Sequence, residues 1–265
     1  MSSHPLPPLA RVSAIRYVTP LREGGSLPAV METDDLGTYV VKFRGAGQGA
    51  KALVAEVITG QLARGLGLAV PDLVTVDVDP ALAPGEPDPE IQDLLRASAG
   101  LNLGVDFLPG ALDVDAARAN VDGTLAGQVL WLDALTANAD RTWRNPNMLS
   151  WHGGLYLIDH GATLTFQHRW SSAEAAITRP YDPADHALLG CGPWVGEADR
   201  ELAARLTPDL VRAAVEAVPP EWLLPEPGFQ TERELRDAYV SWIVRRLAAR
   251  ESWLPALEAA TGARP

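Results

Sequence analysis

The chain has 265 residues, with 34 acidic against 22 basic side chains and a formal net charge of −12. This acid excess, with no basic cluster, excludes nucleic acid and an anionic membrane surface as partners, since both require concentrated Lys and Arg. The single cysteine, Cys191, excludes an internal disulfide framework and a multi-cysteine zinc site.

Hydrophobic residues make up 47% of the chain, enough for a packed core. Met1 to Arg11 has no apolar segment of the signal-peptide kind. No apolar run approaches the ~18 residues of a membrane span. A soluble cytoplasmic protein is therefore expected. Only two of the bases are lysines, Lys42 and Lys51, and the other 20 are arginines. In so arginine-biased a chain each lysine calls for a reason, because an ammonium is a compact point charge and a guanidinium a rigid fork.

Ala14 to Leu21, Leu27 to Thr33 and Thr38 to Phe43 read as strands, the last of them a strong β-branched and aromatic run. The turns between them, Arg22-Glu23-Gly24-Gly25-Ser26 and Asp34-Asp35-Leu36-Gly37, predict an antiparallel meander. A Gly-rich link, Gly45-Ala46-Gly47-Gln48-Gly49, leads into a helix from Ala50 to Leu66. There Leu53 and Val57, with Val54, Ile58 and Leu62 beside them, form a stripe at helical spacing. Gly65 and Gly67 stop this helix and Pro71 follows. Leu73 to Val78 is another strand.

Asp79 to Asp88 holds three prolines and reads as a surface loop or insertion. Leu101 to Leu108 is extended and ends at Pro109-Gly110, a candidate hinge. Asp122 to Ala137, with Leu125, Val129, Leu132 and Leu135, predicts a buried helix. Met148 to Trp151 and Leu155 to Ile158 are short strands around a Gly-Gly turn. Thr207 to Val218 and Thr231 to Leu247 are amphipathic helices, the first opening on a cap residue followed by proline. Strands crowd the first 105 residues and helices the rest, which predicts an α+β protein of two unequal lobes.

Four residue groups carry the candidate chemistry. Lys42 shares a strand face with Val40, and read alone it is an edge-strand lysine facing water. Glu56 follows on the next helix among small and apolar residues, where a buried carboxylate would need a partner such as Lys42. The stretch Asn138-Ala139-Asp140-Arg141-Thr142-Trp143-Arg144-Asn145-Pro146-Asn147 is dense in polar groups where the chain should lie near the core. The hairpin after it delivers Ile158-Asp159-His160-Gly161. Asp140, Asn145 and Asp159 supply two carboxylates and an amide, oxygen donors that suit a hard divalent cation such as Mg²⁺. Each piece taken singly is also an ordinary turn or surface element.

Among the other polar residues, His160 is expected to pack beside Asp159, and Lys51 to be solvated. Cys191 is expected to be a small buried residue. No histidine pair has zinc-ligand spacing, and no Ser lies in a G-x-S-x-G elbow. Most of the C-terminal tryptophans, Trp170, Trp194, Trp222, Trp242 and Trp253, are expected in the core.

In order, a Gly-rich turn, a strand Lys, a helix Glu, an Asp-x4-Asn loop and an Asp-x-Gly resemble the protein-kinase-like fold. There is no His-Arg-Asp, and the Asp-x-Gly is Asp159-His160-Gly161. Asn-x-Asp-Arg followed by Ile-Asp, with Val41-Lys42-Phe43, Leu53-Val54-Ala55-Glu56-Val57-Ile58 and the run Leu62 to Pro71, is similar to the HipA-like kinases, within the HipA and lipid-kinase-like branch. The resemblance covers roughly residues 14 to 165. It implies a bilobal fold: residues 12–104 as an N-lobe of antiparallel sheet plus one helix, and residues 105–265 as a mostly helical C-lobe.

The resemblance also implies roles, after the phosphoryl-transfer template. Lys42 would contact the α- and β-phosphates of ATP and Glu56 would hold Lys42. Asp140 would accept or position the proton of the attacking hydroxyl. Asn145 and Asp159 would ligate Mg²⁺, with Asn147 a second candidate. Arg141 would be structural or bind phosphate. Gly24, Gly25 and Ser26 would cover the phosphates, in competition with Gly45, Gly47 and Gly49. Adenine would lie against the hinge run that holds Leu103, Val105 and Phe107. The implied activity is transfer of the γ-phosphate of ATP to a hydroxyl, most naturally a protein Ser or Thr. A small-molecule or lipid-headgroup kinase and a nucleotide-binding pseudokinase are the alternatives. A small partner protein is a family habit that no residue here identifies.

Overall fold

The structure, a computed structural model, describes residues 6–21, 27–116 and 121–262. Five strands close into a barrel: β1 (Ala10–Pro20), β2 (Ala29–Thr33), β3 (Thr38–Lys42), β4 (Leu73–Val78) and β5 (Gly100–Asp106). The first three form the expected antiparallel meander. β5 then pairs antiparallel with β3 and β4, and the front of β1 closes the ring by running parallel to β4. That closure leaves no trace in the sequence, because it joins strands far apart in the chain.

Strand alternation sorts the side chains. Met31, Val41, Phe43 and Val76 fill the barrel with Val12 and Ala29. Val40, on the other face of β3, packs outward on a second and larger core. One end of the barrel is covered by α2 (Pro89–Ala97), whose Ile91 and Leu95 join the inner core. Residues 79–88, read as a surface loop or insertion, are partly regular. The segment holds a 3-10 turn, Pro80–Gly85, and α2 follows at once. Each is opened by an aspartate whose side chain caps the first turn and by a proline at the next position.

The long helix α1 (Gly49–Leu66) lies against the outer face of the barrel and ends at Gly67, whose φ of 90° closes the helix in the left-handed region. Every residue from Leu53 to Ala63 is buried. A single apolar stripe would leave one side wet, whereas this helix is a wedge between the sheet and the helices that follow. Its far side meets α6 (Pro208–Glu216). A Cβ added at Gly65 would stand 2.4 Å from Leu210 Cδ1, so the glycine sets how closely the two helices approach.

The remainder is mainly helical: α3 (Gly123–Thr136), α4 (Ala173–Ile177), α5 (Val195–Arg205), α7 (Glu232–Ala248) and α8 (Leu254–Gly262). A small sheet, β6 (Leu112–Asp113), β7 (Met148–Trp151) and β8 (Gly154–Leu157), precedes the Asp159 segment. One continuous core takes in α1, the outer face of β5, α3 and the C-terminal helices. Within it Arg246 of α7 is buried and donates to the carbonyls of Ala134 and Leu135 at 2.7 to 3.1 Å. It thereby caps the C-terminal end of α3, just ahead of the polar stretch that begins at Asn138. Trp222, Trp242 and Trp253 are core residues as expected, while Trp194 is 55% exposed. Cys191 is half-buried rather than buried. Among the described residues no helix is long and apolar enough to cross a membrane.

Candidate active site

Three elements bring the first group together. Lys42 ends β3 on its outward face, opposite Leu103 of β5. Glu56 stands on α1 and is 2% exposed. Asp159 follows the β7–β8 hairpin, whose two-residue turn, His152 and Gly153, has φ of 47° and 78°. Two positive φ values give a turn whose twist suits the flanking strands. Lys42 Nζ lies 3.0 Å from Glu56 Oε2 and 2.8 Å from Asp159 Oδ1. One ammonium thus joins the barrel, α1 and the hairpin.

The electrostatics follow from burial and from this sharing. Burial acts to lower the Lys42 ammonium, but Glu56 and Asp159 together outweigh it and hold the group above the ordinary lysine value. Glu56 goes the other way: its burial and the nearby Asp159 outweigh Lys42, so its carboxyl sits above the usual range. Asp159, half exposed, is held below its usual range because Lys42 outweighs its burial. A half-exposed carboxylate beside a nearly enclosed ammonium describes the floor of a cleft. A small cavity opens there, lined by Lys42, Phe43, Ala52, Glu56, Asp159 and Gly161.

The second group is the loop after α3. Asp140 Oδ2 accepts from Asn145 Nδ2 at 2.8 Å and from Asn147 Nδ2 at 3.1 Å. Both amides therefore turn their N–H groups to Asp140, which leaves their carbonyl oxygens as acceptors. Asn147 and Asp159 are left-handed, with φ of 49° and 55°. Non-glycine residues hold such a backbone only where the surroundings fix it. Arg141 fixes both: it donates to Asn147 O, and Nη1 stands 3.5 Å from Ile158 O.

Arg141 is 1% exposed, so it presents nothing to a ligand. Its guanidinium is engaged within the protein itself. Nε donates to Asp133 Oδ2 at 2.7 Å, and the same carboxylate accepts from Asn138 Nδ2 at 2.8 Å and lies 3.0 Å from His186 Nε2. Burial alone would raise the Asp133 carboxyl. Arg141, His186 and Asn138 outweigh it and hold it well below the carboxylate range. Asp133 and His186 are the residues that sequence reasoning missed, while Asn138 entered it as the first residue of the Asn-x-Asp-Arg motif. The available signal was an aspartate inside the apolar run Leu132-Asp133-Ala134-Leu135; nothing local marks His186.

His160 is buried, as expected, and Arg141 Nη2 faces its Nδ1 at 3.3 Å. A guanidinium only donates, so Nδ1 accepts and the ring is neutral. Burial pushes its pKa down to about 3. Leu103 and Val105 are buried on the same sheet face as Lys42, and Phe107, just past β5, is 37% exposed. Gly24, Gly25 and Ser26 lie outside the described residues. Lys51 is corrected: instead of being solvated it pairs with Glu226 at 2.9 Å.

The donor chemistry fits a hard divalent ion. Asp159 and the two amides offer oxygens only, which is the ligand type such ions take. Among the described residues no group of three or more His, Cys, Asp or Glu could hold a metal. An ion here would thus depend on the amides as well as the carboxylates.

The sequence model of a family described as HipA-like kinase matches residues 15–255. A comparison with curated proteins finds no match. Among solved structures, the Golgi casein kinase with Mn/ADP bound is similar, with a TM-score of 0.50 and 14% identity over 95% of this chain and 74% of that one. The proinflammatory kinase CtkA of Helicobacter pylori has a TM-score of 0.48 and 11% identity over 92% of this chain and 98% of that one. The likeness to the casein kinase is one of fold.

Proposed function

Because the chain belongs to the HipA-like kinase family, we propose that it is an ATP- and Mg²⁺-dependent phosphotransferase acting on a hydroxyl, most naturally that of a protein Ser or Thr. The observation that carries this reading is the shared ammonium of Lys42 between Glu56 and Asp159. A lysine held by a buried helix carboxylate at the floor of a cleft is placed to meet polyphosphate oxygens.

In this reading residues 12–104 and 105–265 act as two lobes with the nucleotide between them. Phe107 would stand at the adenine end, on the run that holds the buried Leu103 and Val105. Lys42 binds the α- and β-phosphates, and Glu56 keeps it aimed. Asp159, Asn145 and Asn147 would hold Mg²⁺, which would offset the negative charge of the phosphates. Asp140 takes the hydroxyl proton as the acceptor oxygen bonds to the γ-phosphorus and the bond to the β-phosphate oxygen breaks, releasing ADP. Asn145 and Asn147 hold the Asp140 carboxylate for that proton. Arg141 and Asp133 act through the backbone, keeping the Asp140 and Asp159 loops in register.

The test is transfer of label from γ-labelled ATP with Mg²⁺, onto the chain itself or onto lysate proteins. Asp140→Ala should abolish transfer while ATP still binds. Asp159→Ala and Lys42→Ala should weaken ATP binding itself. Unchanged ATP binding in both of the latter would sink the site assignment.

A further inference from the structure

Lys51 lies in the first turn of α1, ahead of Glu56 on the same helix, and its ammonium is bonded on two sides. Nζ donates to Gln167 O at 2.8 Å and to Glu226 Oε1 at 3.0 Å. Glu226 belongs to the link between α6 and α7, and only 10% of its side chain is exposed. Gln167, in the 3-10 turn Thr165–His168 that follows Gly161, is wholly buried and returns the contact. Its Nε2 donates to Lys51 O at 3.1 Å, and its Oε1 accepts from Tyr239 OH of α7 at 2.7 Å. The start of α1, the chain leaving Asp159-His160-Gly161, the α6–α7 link and α7 thus meet in one polar knot.

The first turn of α1 lacks the usual caps. Its N-cap, Gln48, makes no side-chain cap bond, and no acid stands in the first turn. Lys51 there opposes the helix dipole, and Gly49 begins the helix with φ of 66°. Such a turn frays unless tertiary contacts hold it. Glu56 sits only about a turn and a half further along, so movement at the start of the helix reaches the Lys42 pair directly.

We infer that Lys51 and Glu226 form an anchor built into the chain that keeps α1 where Glu56 meets Lys42. Lys51 is then a positioning residue of the nucleotide site. The inference rests on the phosphotransferase reading for its effect on turnover, but not for its geometry. The counter-charge belongs to the chain itself, so engagement of α1 needs no bound or transferred group.

The test uses the full chain as Lys51→Met and, as a milder variant that keeps shape, Glu226→Gln. Two quantities are read: amide hydrogen exchange over residues 50–57 against residues 124–136, and the KM for ATP with kcat. Both variants should exchange faster in the α1 segment with α3 unchanged. The KM for ATP should rise about tenfold, in keeping with the up to about hundredfold loss that a displacement near 1 Å brings. Lys51→Arg, which keeps the charge, should recover most of the loss. Unaltered exchange in α1 overturns the anchor. Faster exchange with unaltered ATP kinetics overturns the positioning role. If the wild-type chain transfers no phosphate at all, the phosphotransferase reading fails, and the exchange comparison still decides the anchor.

Discussion

Lys42 serves two carboxylates at once, so its part in stability can be measured apart from the proposed transfer. Lys42→Met leaves Glu56 buried without its cation, a loss of about 3–5 kcal/mol. Removing both charges, in Lys42→Met/Glu56→Leu, should restore most of that stability, since an apolar pair of like volume replaces a buried ion pair at little cost. Phosphate transfer should stay absent in both. Thermal melts beside a transfer assay check this, and a double variant that regains transfer would remove Lys42 from the chemistry. His160 adds a pH dependence. Its folded pKa, lowered to about 3, lies below the unfolded value of about 6.5. As pH falls below about 6.5 the unfolded chain binds a proton that the folded chain refuses. Stability should therefore fall towards pH 3, by up to about 1.4 kcal/mol per unit. His160→Gln should flatten that slope in melts taken across the window. At this scale Lys42, Glu56, Asp140 and Asp159 were legible because each is a polar residue set where its neighbours are apolar or turn-forming. Asp133 and His186 were not, since their meaning lies in a partner that only the folded chain supplies.

Helix packing gives predictions at the level of elements. A Cβ on Gly127 of α3 would stand 2.7 Å from the Trp194 carbonyl carbon and oxygen, at the entry to α5. Backbone cannot swing aside, so Gly127→Ala should cost about 1–3 kcal/mol through overpacking, more than the ~1 kcal/mol that alanine gains in helix propensity. Gly60 of α1 is the contrast, because its added Cβ meets the mobile end of Leu73 at 3.1 Å. Gly60→Ala should stay within about 1 kcal/mol of the wild type. Denaturant midpoints of the two variants check both, and equal losses would show that α3 and α5 adapt. The elements legible in the sequence were those with many apolar residues or marked turn and cap chemistry: the meander, β4, β5, α1, α3, the β7–β8 hairpin, α6 and α7. The helices α2, α5 and α8 escaped because their apolar contributions are sparse: the residues buried in α2 are Ile91 and Leu95, and in α8 Leu257.

At the scale of the whole molecule, α1 and β5 share one core with the C-terminal helices. Trp222, beyond α6, also donates from its indole nitrogen to Leu101 O of β5 at 3.1 Å. The strand-rich and helix-rich halves should therefore unfold together. A single transition, coincident by tryptophan fluorescence and far-ultraviolet circular dichroism, is expected. A fragment of residues 1–108 should fail to fold, having lost the surface that buries Leu62 and Leu66. Two separated transitions would show the halves to be independent. The division into strands first and helices after was readable from composition and pattern. The polar knot at Lys51 was not, because its partners Gln167 and Glu226 lie 116 and 175 residues away.

The closure of the five-stranded barrel has a consequence of another kind. Each of its strands has two neighbours, so the most strand-rich part of the chain presents no full row of unpaired amides and carbonyls. An open sheet of this size would be a template for other chains and a seed for aggregation. Here the ladder is used up internally, and any chain that meets the barrel has to be recognised by its side chains rather than by being stitched onto its strands.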